Sequence, residues 1–135
     1  MENILEIKDL TVTVAVSGGV KTLVDKASLE IPKNSIVALV GGSGSGKTTM
    51  GLSILRLLPP QLTFKSGQIL FDGRDLLTMP EAQLRTLRGK SIGMVFQEPL
   101  SALNPLLTIG AQIDEILLCH TEQNVKQRSE KILSL

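Results

Sequence analysis

An α/β fold, with an antiparallel β portion ahead of a strand, a glycine-rich turn and a helix, is what three features of the sequence predict. Two early segments alternate apolar and polar residues, a continuous apolar run follows at Ile36–Val40, and that run enters a glycine-rich turn ahead of helically spaced apolar residues. The 135 residues fit one ordinary domain. Composition narrows the class further. Hydrophobic residues make up 42% of the chain, too many for a disordered segment, yet aromatic residues make up only 2%, so the core must be aliphatic.

The elements follow in order. Leu10, Val12, Val14 and Val16 alternate with Thr11, Thr13 and Ala15, the period of a strand with one buried face. Ser17-Gly18-Gly19 turns the chain, and Ala27, Leu29 and Ile31 alternate with Ser28 and Glu30 in a second strand, broken by Pro32-Lys33-Asn34. These two read as an antiparallel pair. Ile36–Val40 is uninterrupted, as a parallel strand covered on both faces should be. From Lys47, the residues Met50, Ile54, Leu55 and Leu58 follow helical spacing as far as Pro59-Pro60, which ends the helix. Gln68–Phe71 with Asp72-Gly73 predicts a short strand and tight turn. Thr78-Met79-Pro80-Glu81 has the pattern of a capping box, opening a helix that Gly89 terminates. Residues 91–96 predict a further apolar strand. Beyond it, Ile109, Ile113, Ile116 and Leu117 share one helical face, and Thr121 can cap a last helix bearing Val125, Ile132 and Leu133.

Charge and cysteine content exclude several functions. Fourteen Lys and Arg against thirteen Asp and Glu give a net charge of +1, which offers no electrostatic footprint for nucleic acid. One cysteine, Cys119, and one histidine, His120, supply neither an internal disulfide nor a Cys/His metal cluster. Adjacent on a helix, the two do not face one another, so they read as an incidental helix-end pair. The start MENILEIKDL lacks the apolar stretch of a signal peptide, and the longest apolar runs are about five residues, far below a membrane span. A cytosolic chain is expected.

The chemistry is concentrated in Gly41-Gly42-Ser43-Gly44-Ser45-Gly46-Lys47-Thr48, which fits G-x-x-x-x-G-K-[ST], the phosphate-binding P-loop or Walker A motif. A chance match in a chain of this length is on the order of one per cent or less. Small residues let successive backbone N–H groups converge on an anion, and the helix beginning near Lys47 adds the positive end of its dipole. Lys47 then reaches the β- and γ-phosphates of a nucleotide, and the Thr48 hydroxyl ligates the Mg²⁺ that bridges them. Thr49 extends the set of polar groups. A Rossmann reading is disfavoured, because the G-x-G-x-x-G register requires glycine where Lys47 or Thr49 stands. Ile113-Asp114-Glu115 has the letters of a Walker B ending, but its neighbours have helical period, so a solvated acidic pair on a helix is the better reading.

The segment SIGMVFQEPLSALNPLLTIGAQIDE from Ser91 to Glu115, taken with GGSGSGKTT, resembles the ATP-binding subunits of ABC transporters, and within them the oligopeptide, dipeptide and nickel importer type. The resemblance runs from about Ile4 to the end, with SGQILFDGRDL between the two motifs. It implies a P-loop NTPase (RecA-like) ABC ATPase core, incomplete, with an N-terminal antiparallel β subdomain and the start of a helical subdomain. About 1–100 would be the β subdomain and P-loop core, and about 101–135 the start of the helical subdomain of a single nucleotide-binding domain. It implies that Gly41–Thr49 and Gln97 bind ATP, that Thr48 and Gln97 ligate Mg²⁺, and that Gln97 senses the permease. Its implied partners are integral-membrane permease subunits and a second ATPase subunit, at the cytoplasmic face of the inner membrane. Two departures accompany it. Such proteins present an aromatic residue to adenine upstream of the P-loop, whereas Phe64, Phe71 and Phe96 all follow it, so Val14 or Val16 is expected to pack on the base. The signature motif, Walker B acid and switch histidine do not follow before Leu135, so a truncated form is expected, with weak nucleotide binding or none, and no turnover. A small P-loop kinase and a non-hydrolysing, permease-docking module are the alternatives.

Overall fold

The computed structural model describes residues 2–135, which divide into a first unit ending at Leu84 and a second from Arg85 to Leu135. The first contains strands β1 (Asn3–Val16) and β2 (Gly19–Pro32), helix α1 (Lys47–Ile54), and strands β3 (Leu62–Phe71) and β4 (Arg74–Asp75). All pairings are antiparallel, in the order β2-β1-β3-β4. The expected hairpin is present and longer than the alternation suggested. Its turn is Ser17-Gly18, with Gly18 at φ 103°.

β1 carries one extra residue against both neighbours: Ile7 pairs with Leu29 and Leu10 with Ala27, while Lys8 pairs with Gln68 and Thr11 with Ser66. The bulge places Asp9 at φ 47°, and its N–H donates to Ser28 Oγ at 3.0 Å. Side-chain phase changes there, so Leu5 and Ile7 are buried before the bulge and Leu10 and Val12 after it. Thr11 and Thr13 are buried too, which makes the middle of β1 covered on both faces, while Val16 near the turn is 49% exposed. Ile69, Leu76, Met79 and Leu84 complete the aliphatic core with Val24 and Leu55. At the far end of the hairpin Lys33 donates to Glu2 at 2.8 Å and lies 3.7 Å from Asp72. The Glu2 hydrogen bond holds its ammonium above the usual 10.5, so this exposed contact persists at neutral pH and fades only as pH rises through that raised value.

Two expected strands are not formed. Residues 35–42 have no regular structure, with Ile36 fully exposed and Val40 88% exposed. Residues 93–96 are likewise irregular, Val95 is 88% exposed, and only an isolated parallel bridge joins Arg88 to Ile92. A strand buried on both faces depends on neighbouring strands for its ladder and on helices for cover, and the described sheet pairs β1 to β4 with one another. The run of apolar residues alone cannot supply either.

Helix α1 ends at Ile54, earlier than Pro59-Pro60 would require. Arg56 takes φ 52°, Arg56 N–H bonds Ser53 O at 3.0 Å and Leu57 N–H bonds Leu52 O at 2.9 Å, a Schellman ending with arginine in the left-handed position. Its guanidinium donates to Met79 O at 2.6 Å, which offsets that backbone cost. The first unit ends within α2 (Glu81–Leu87), whose first turn opens on the Pro80 carbonyl, accepting from Gln83 and Leu84. Thr78 Oγ1 donates instead to Asp75 O.

In the second unit, Gly89 at φ 80° follows α2, as expected of a terminating glycine. A 3₁₀ turn spans Pro99–Ala102, and helices α3 (Ile109–His120) and α4 (Val125–Leu133) pack together. Thr121 closes α3, donating to Leu117 O at 2.6 Å, and the cap of α4 is Asn124, in a reciprocal capping box with Gln127. Among the described residues no helix is long and apolar enough to cross a membrane.

A test of the bulge follows from Gly67, at φ 103° opposite it, where an added Cβ would lie 2.5 Å from Leu10 Cα and 2.7 Å from Asp9 O. Backbone on both sides cannot yield, so Gly67→Ala is expected to cost more than about 2 kcal/mol in urea unfolding, whereas Gly18→Ala, with open space around it, costs about 1 kcal/mol from strain alone.

Candidate functional site

The glycine-rich turn leads into α1 by a route the sequence did not indicate. Gly46, the N-cap at φ 88°, lies against β2: an added Cβ would meet Val24 Cγ2 at 3.1 Å and Leu23 O at 3.2 Å. The left-handed backbone favours glycine, and a side chain would also press on both neighbours, which would have to give by a few tenths of an ångström. The helix start is therefore seated on a paired strand of the sheet.

Within the loop, Gly44 takes φ 76° and Ser45 N–H donates to Gly42 O at 3.4 Å. Lys47 folds back over the turn: Nζ donates to Gly41 O at 2.7 Å, Gly42 O at 2.6 Å and Ser45 Oγ at 3.2 Å. Gly41 is packed beneath it, with a hypothetical Cβ 2.7 Å from Ser45 Oγ. The loop thus holds a cation by its own carbonyls beside a helix N-terminus that has no side-chain cap and no acid in its first turn. Such an end leaves backbone N–H donors directed outward and carries partial positive charge, the environment an anion requires.

A cavity of about 250 Å³ opens there, lined by Leu23 and the run Gly44, Ser45, Gly46, Lys47, Thr48 and Thr49. An adjoining cavity of about 240 Å³ is lined by Gly41, Ser45, Gly46 and Lys47 of the turn, by Val24, Asp25 and Ala27 of β2, and by Leu39, Val40 and Met50. The structure therefore gathers the glycine-rich run and Lys47 into one place. Gly42 and Ser43 lie on the exposed crest of the turn. Thr48 is exposed in the first turn of α1, and Thr49 accepts from Ser53 Oγ through its carbonyl at 2.7 Å. The donor set of the first cavity, N–H groups, one ammonium and the hydroxyls of Ser45, Thr48 and Thr49, fits a phosphate chain with a divalent cation at its edge.

Val14 and Val16, expected at the base, do not line this cavity. They pair with Lys21 and Gly19 toward the hairpin turn, while Leu23, nearer the middle of β2, is the β2 residue that lines it. Sequence reading missed Leu23. Its one local signal is that Leu23-Val24 interrupts the alternation that continues at Ala27.

Gln97 belongs to the second unit, exposed in the irregular segment between Ile92 and the 3₁₀ turn. Asp114 and Glu115 lie on α3, as their helical period indicated. Asp114 is not merely solvated: Arg128 Nε donates to its Oδ1 at 2.6 Å and Nη1 donates to Gln123 O at 2.9 Å, leaving Arg128 buried. Cys119 and His120 end α3 on a cavity of about 560 Å³ shared with Arg85, Thr86, Arg88 and Lys90. Among the described residues there is no cluster of three metal-ligating side chains.

The sequence profile of the family described as ABC transporter matches residues 24–135. The chain is 47% identical to the peptidoglycan transport ATP-binding protein YejF of Agrobacterium fabrum, over 96% of this chain and 24% of that protein. It is 38% identical to the oligopeptide transport ATP-binding protein OppD of Bacillus subtilis, over 98% of this chain and 38% of that protein. It therefore spans about a quarter to two fifths of these relatives' length. Among solved structures, the ATP-binding cassette MJ0796, a dimer in a post-hydrolysis state bound to ADP and Pi, aligns with a TM-score of 0.82 at 25% identity, over 96% of this chain and 54% of that one.

The Arg128 pair yields a test confined to the second unit. Asp114→Ala leaves a buried guanidinium short of its carboxylate and is expected to lower stability by about 1–3 kcal/mol in thermal unfolding. The same change in the exposed neighbour Glu115 should fall within about 0.5 kcal/mol.

Proposed function

The chain belongs to the ABC transporter family, and from that premise we propose that it carries the nucleotide-binding first part of an importer ATPase for peptides or nickel. The family is one of ATPases that bind ATP with Mg²⁺ and energise transport. The observation that carries the reading for this chain is the Lys47 ammonium held by Gly41 O and Gly42 O over a glycine-rich turn at an uncapped helix N-terminus.

In this proposal the N–H groups of Ser43 to Thr49 surround the phosphates of ATP, with Gly44 and Gly46 allowing the turn to close around them. Lys47 exchanges its carbonyl partners for oxygens of the β- and γ-phosphates, an exchange of neutral acceptors for charged ones that favours the bound state. Thr49 adds a hydroxyl. Thr48 and Gln97 would hold Mg²⁺ through a hydroxyl and a carboxamide oxygen, and the cation supplies neutralisation of charge on the phosphates.

The domain reading is also a proposal: about 1–100 as the β subdomain and P-loop core, about 101–135 as the start of the helical subdomain. The names of the relatives support peptide-type transport, and the dimeric cassette supports pairing with a second ATPase subunit. Permease subunits are the remaining proposed partner, with the protein peripheral on the cytoplasmic side of the membrane.

Hydrolysis also requires a carboxylate that polarises the attacking water. The adjacent acids Asp114 and Glu115 are on α3, and Asp114 is engaged by Arg128. The 135-residue chain is accordingly expected to bind Mg-ATP with a Kd near the millimolar range and to release phosphate no faster than its Lys47→Ala variant. Lys47→Ala should weaken binding about tenfold or more, as loss of a charged hydrogen-bond donor to phosphate does. Titration of each protein, followed through the amide resonances of Gly44 and Gly46, measures the first, and a phosphate-release assay the second. Equal binding by both proteins would overturn the assignment.

A further inference from the structure

We infer that the second unit carries an anion site of its own: the cavity of about 560 Å³ at the ends of α2 and α3, which takes a small soluble ligand bearing a doubly charged phosphate group. Its lining residues, Arg85, Thr86, Arg88, Lys90, Cys119 and His120, all belong to the second unit, and none of them belongs to the glycine-rich turn. The inference therefore does not depend on the nucleotide reading above.

Three observations carry it. The first is charge. Two guanidiniums and an ammonium converge on a lining that contains no carboxylate, in a chain whose net charge is only +1. A cleft lined by one sign of charge concentrates ions of the other sign. Among the described residues no salt bridge engages Arg85 or Lys90. The second is that these cations are not spent on the helix ends, where basic side chains ordinarily answer terminal carbonyls. Leu87 O already accepts from Ser91 N–H at 2.9 Å and from Ile92 N–H at 3.0 Å, and Leu117 O accepts from the N–H and the hydroxyl of Thr121. The third is that the two sides of the cavity touch. Gly89 takes φ 80° and donates its N–H to Ile92 O at 3.0 Å, and an added Cβ on it would lie 2.8 Å from His120 Nε2. The imidazole thus rests on the turn that bears Arg88 and Lys90, which brings the end of α3 and the end of α2 to one volume.

Phosphate is the chemistry this set recognises. A guanidinium offers paired N–H donors that match two oxygens of a phosphate, and an ammonium adds a compact charge. The Thr86 hydroxyl and the His120 imidazole supply further hydrogen-bonding groups. A single negative charge leaves most of the positive charge unopposed, whereas a doubly charged group opposes more of it. The volume falls within the roughly 300–1,000 Å³ of small-molecule sites, so an organic portion can sit beside the phosphate. Thr86 and Arg88 also engage neighbouring groups, so the test acts on Arg85 and Lys90.

The experiment titrates inorganic pyrophosphate, and separately acetate, into the 135-residue chain at constant ionic strength. The Gly89 amide and the His120 ring resonances report this cavity, and the Gly44 and Gly46 amides report the glycine-rich turn. Pyrophosphate is expected to saturate the Gly89 and His120 signals with a Kd of roughly a millimolar or below, at least about tenfold tighter than acetate. Replacing both Arg85→Gln and Lys90→Gln is expected to weaken that Kd about tenfold or more, as loss of charged donors to phosphate does. Both side chains are exposed, so the variant should fold as the wild type does. Absence of saturation at Gly89 and His120 in the folded wild type overturns the inference, and so does acetate binding there as tightly as pyrophosphate. An unchanged Kd in the folded double variant overturns it as well. Capture of the chain by vesicles of phosphatidylcholine and phosphatidic acid, without saturation by pyrophosphate, overturns it in favour of a lipid headgroup. Should the variant not fold, the wild-type comparison of pyrophosphate with acetate decides by itself.

Discussion

The contact of Gly46 with β2 is the constraint on which the site depends. A helix N-terminus attracts anions best when its first N–H groups are held at a fixed place, and here Gly46 approaches β2 so closely that a Cβ on it would lie 3.1 Å from Val24 Cγ2 and 3.2 Å from Leu23 O. Because β2 is paired along β1, and β1 along β3, the helix start inherits the rigidity of the antiparallel sheet. The residues between β2 and α1 do not provide that rigidity. They are irregular and exposed, so the loop is anchored at its helical end and closed on itself by Lys47.

Lys47 has a double part in this arrangement. An ammonium beside a helix N-terminus is electrostatically unfavourable, since like charges meet there. The carbonyls of Gly41 and Gly42 offset it by accepting short hydrogen bonds from the same ammonium. The lysine stabilises the turn until a stronger acceptor arrives. A phosphate oxygen is such an acceptor, so the shape of the loop and its affinity for anions have a common cause.

The apolar segments around Ile36 and Val95 are the counterpart of this order. Exposed aliphatic residues in irregular segments present an apolar surface, which makes them sites for association. Their sequences are those of covered strands, yet in the described residues each lacks the neighbours that a ladder needs. The second unit meets its own requirements locally instead, through the capping box of α4, the Thr121 cap of α3 and the Asp114–Arg128 pair between the two helices.

What the sequence determined by itself is what depends on local chemistry: the hairpin with its Ser17-Gly18 turn, the start of α1 after a glycine-rich run, the turn at Asp72-Gly73, the terminating Gly89, and the helical placement of Asp114. Each follows from backbone preferences or a short period that a few residues contain. Tertiary structure decided the rest. The bulge at Asp9 and its clearance at Gly67 depend on register between strands distant in sequence, and the left-handed Arg56 that ends α1 is held by the distant carbonyl of Met79. Ile36–Val40 has the composition of a strand, but strand formation is a property of a pair and not of a segment. Leu23 entered the site for the same reason: periodicity places a residue on a face, and only the packing of α1 against β2 determined what that face would meet.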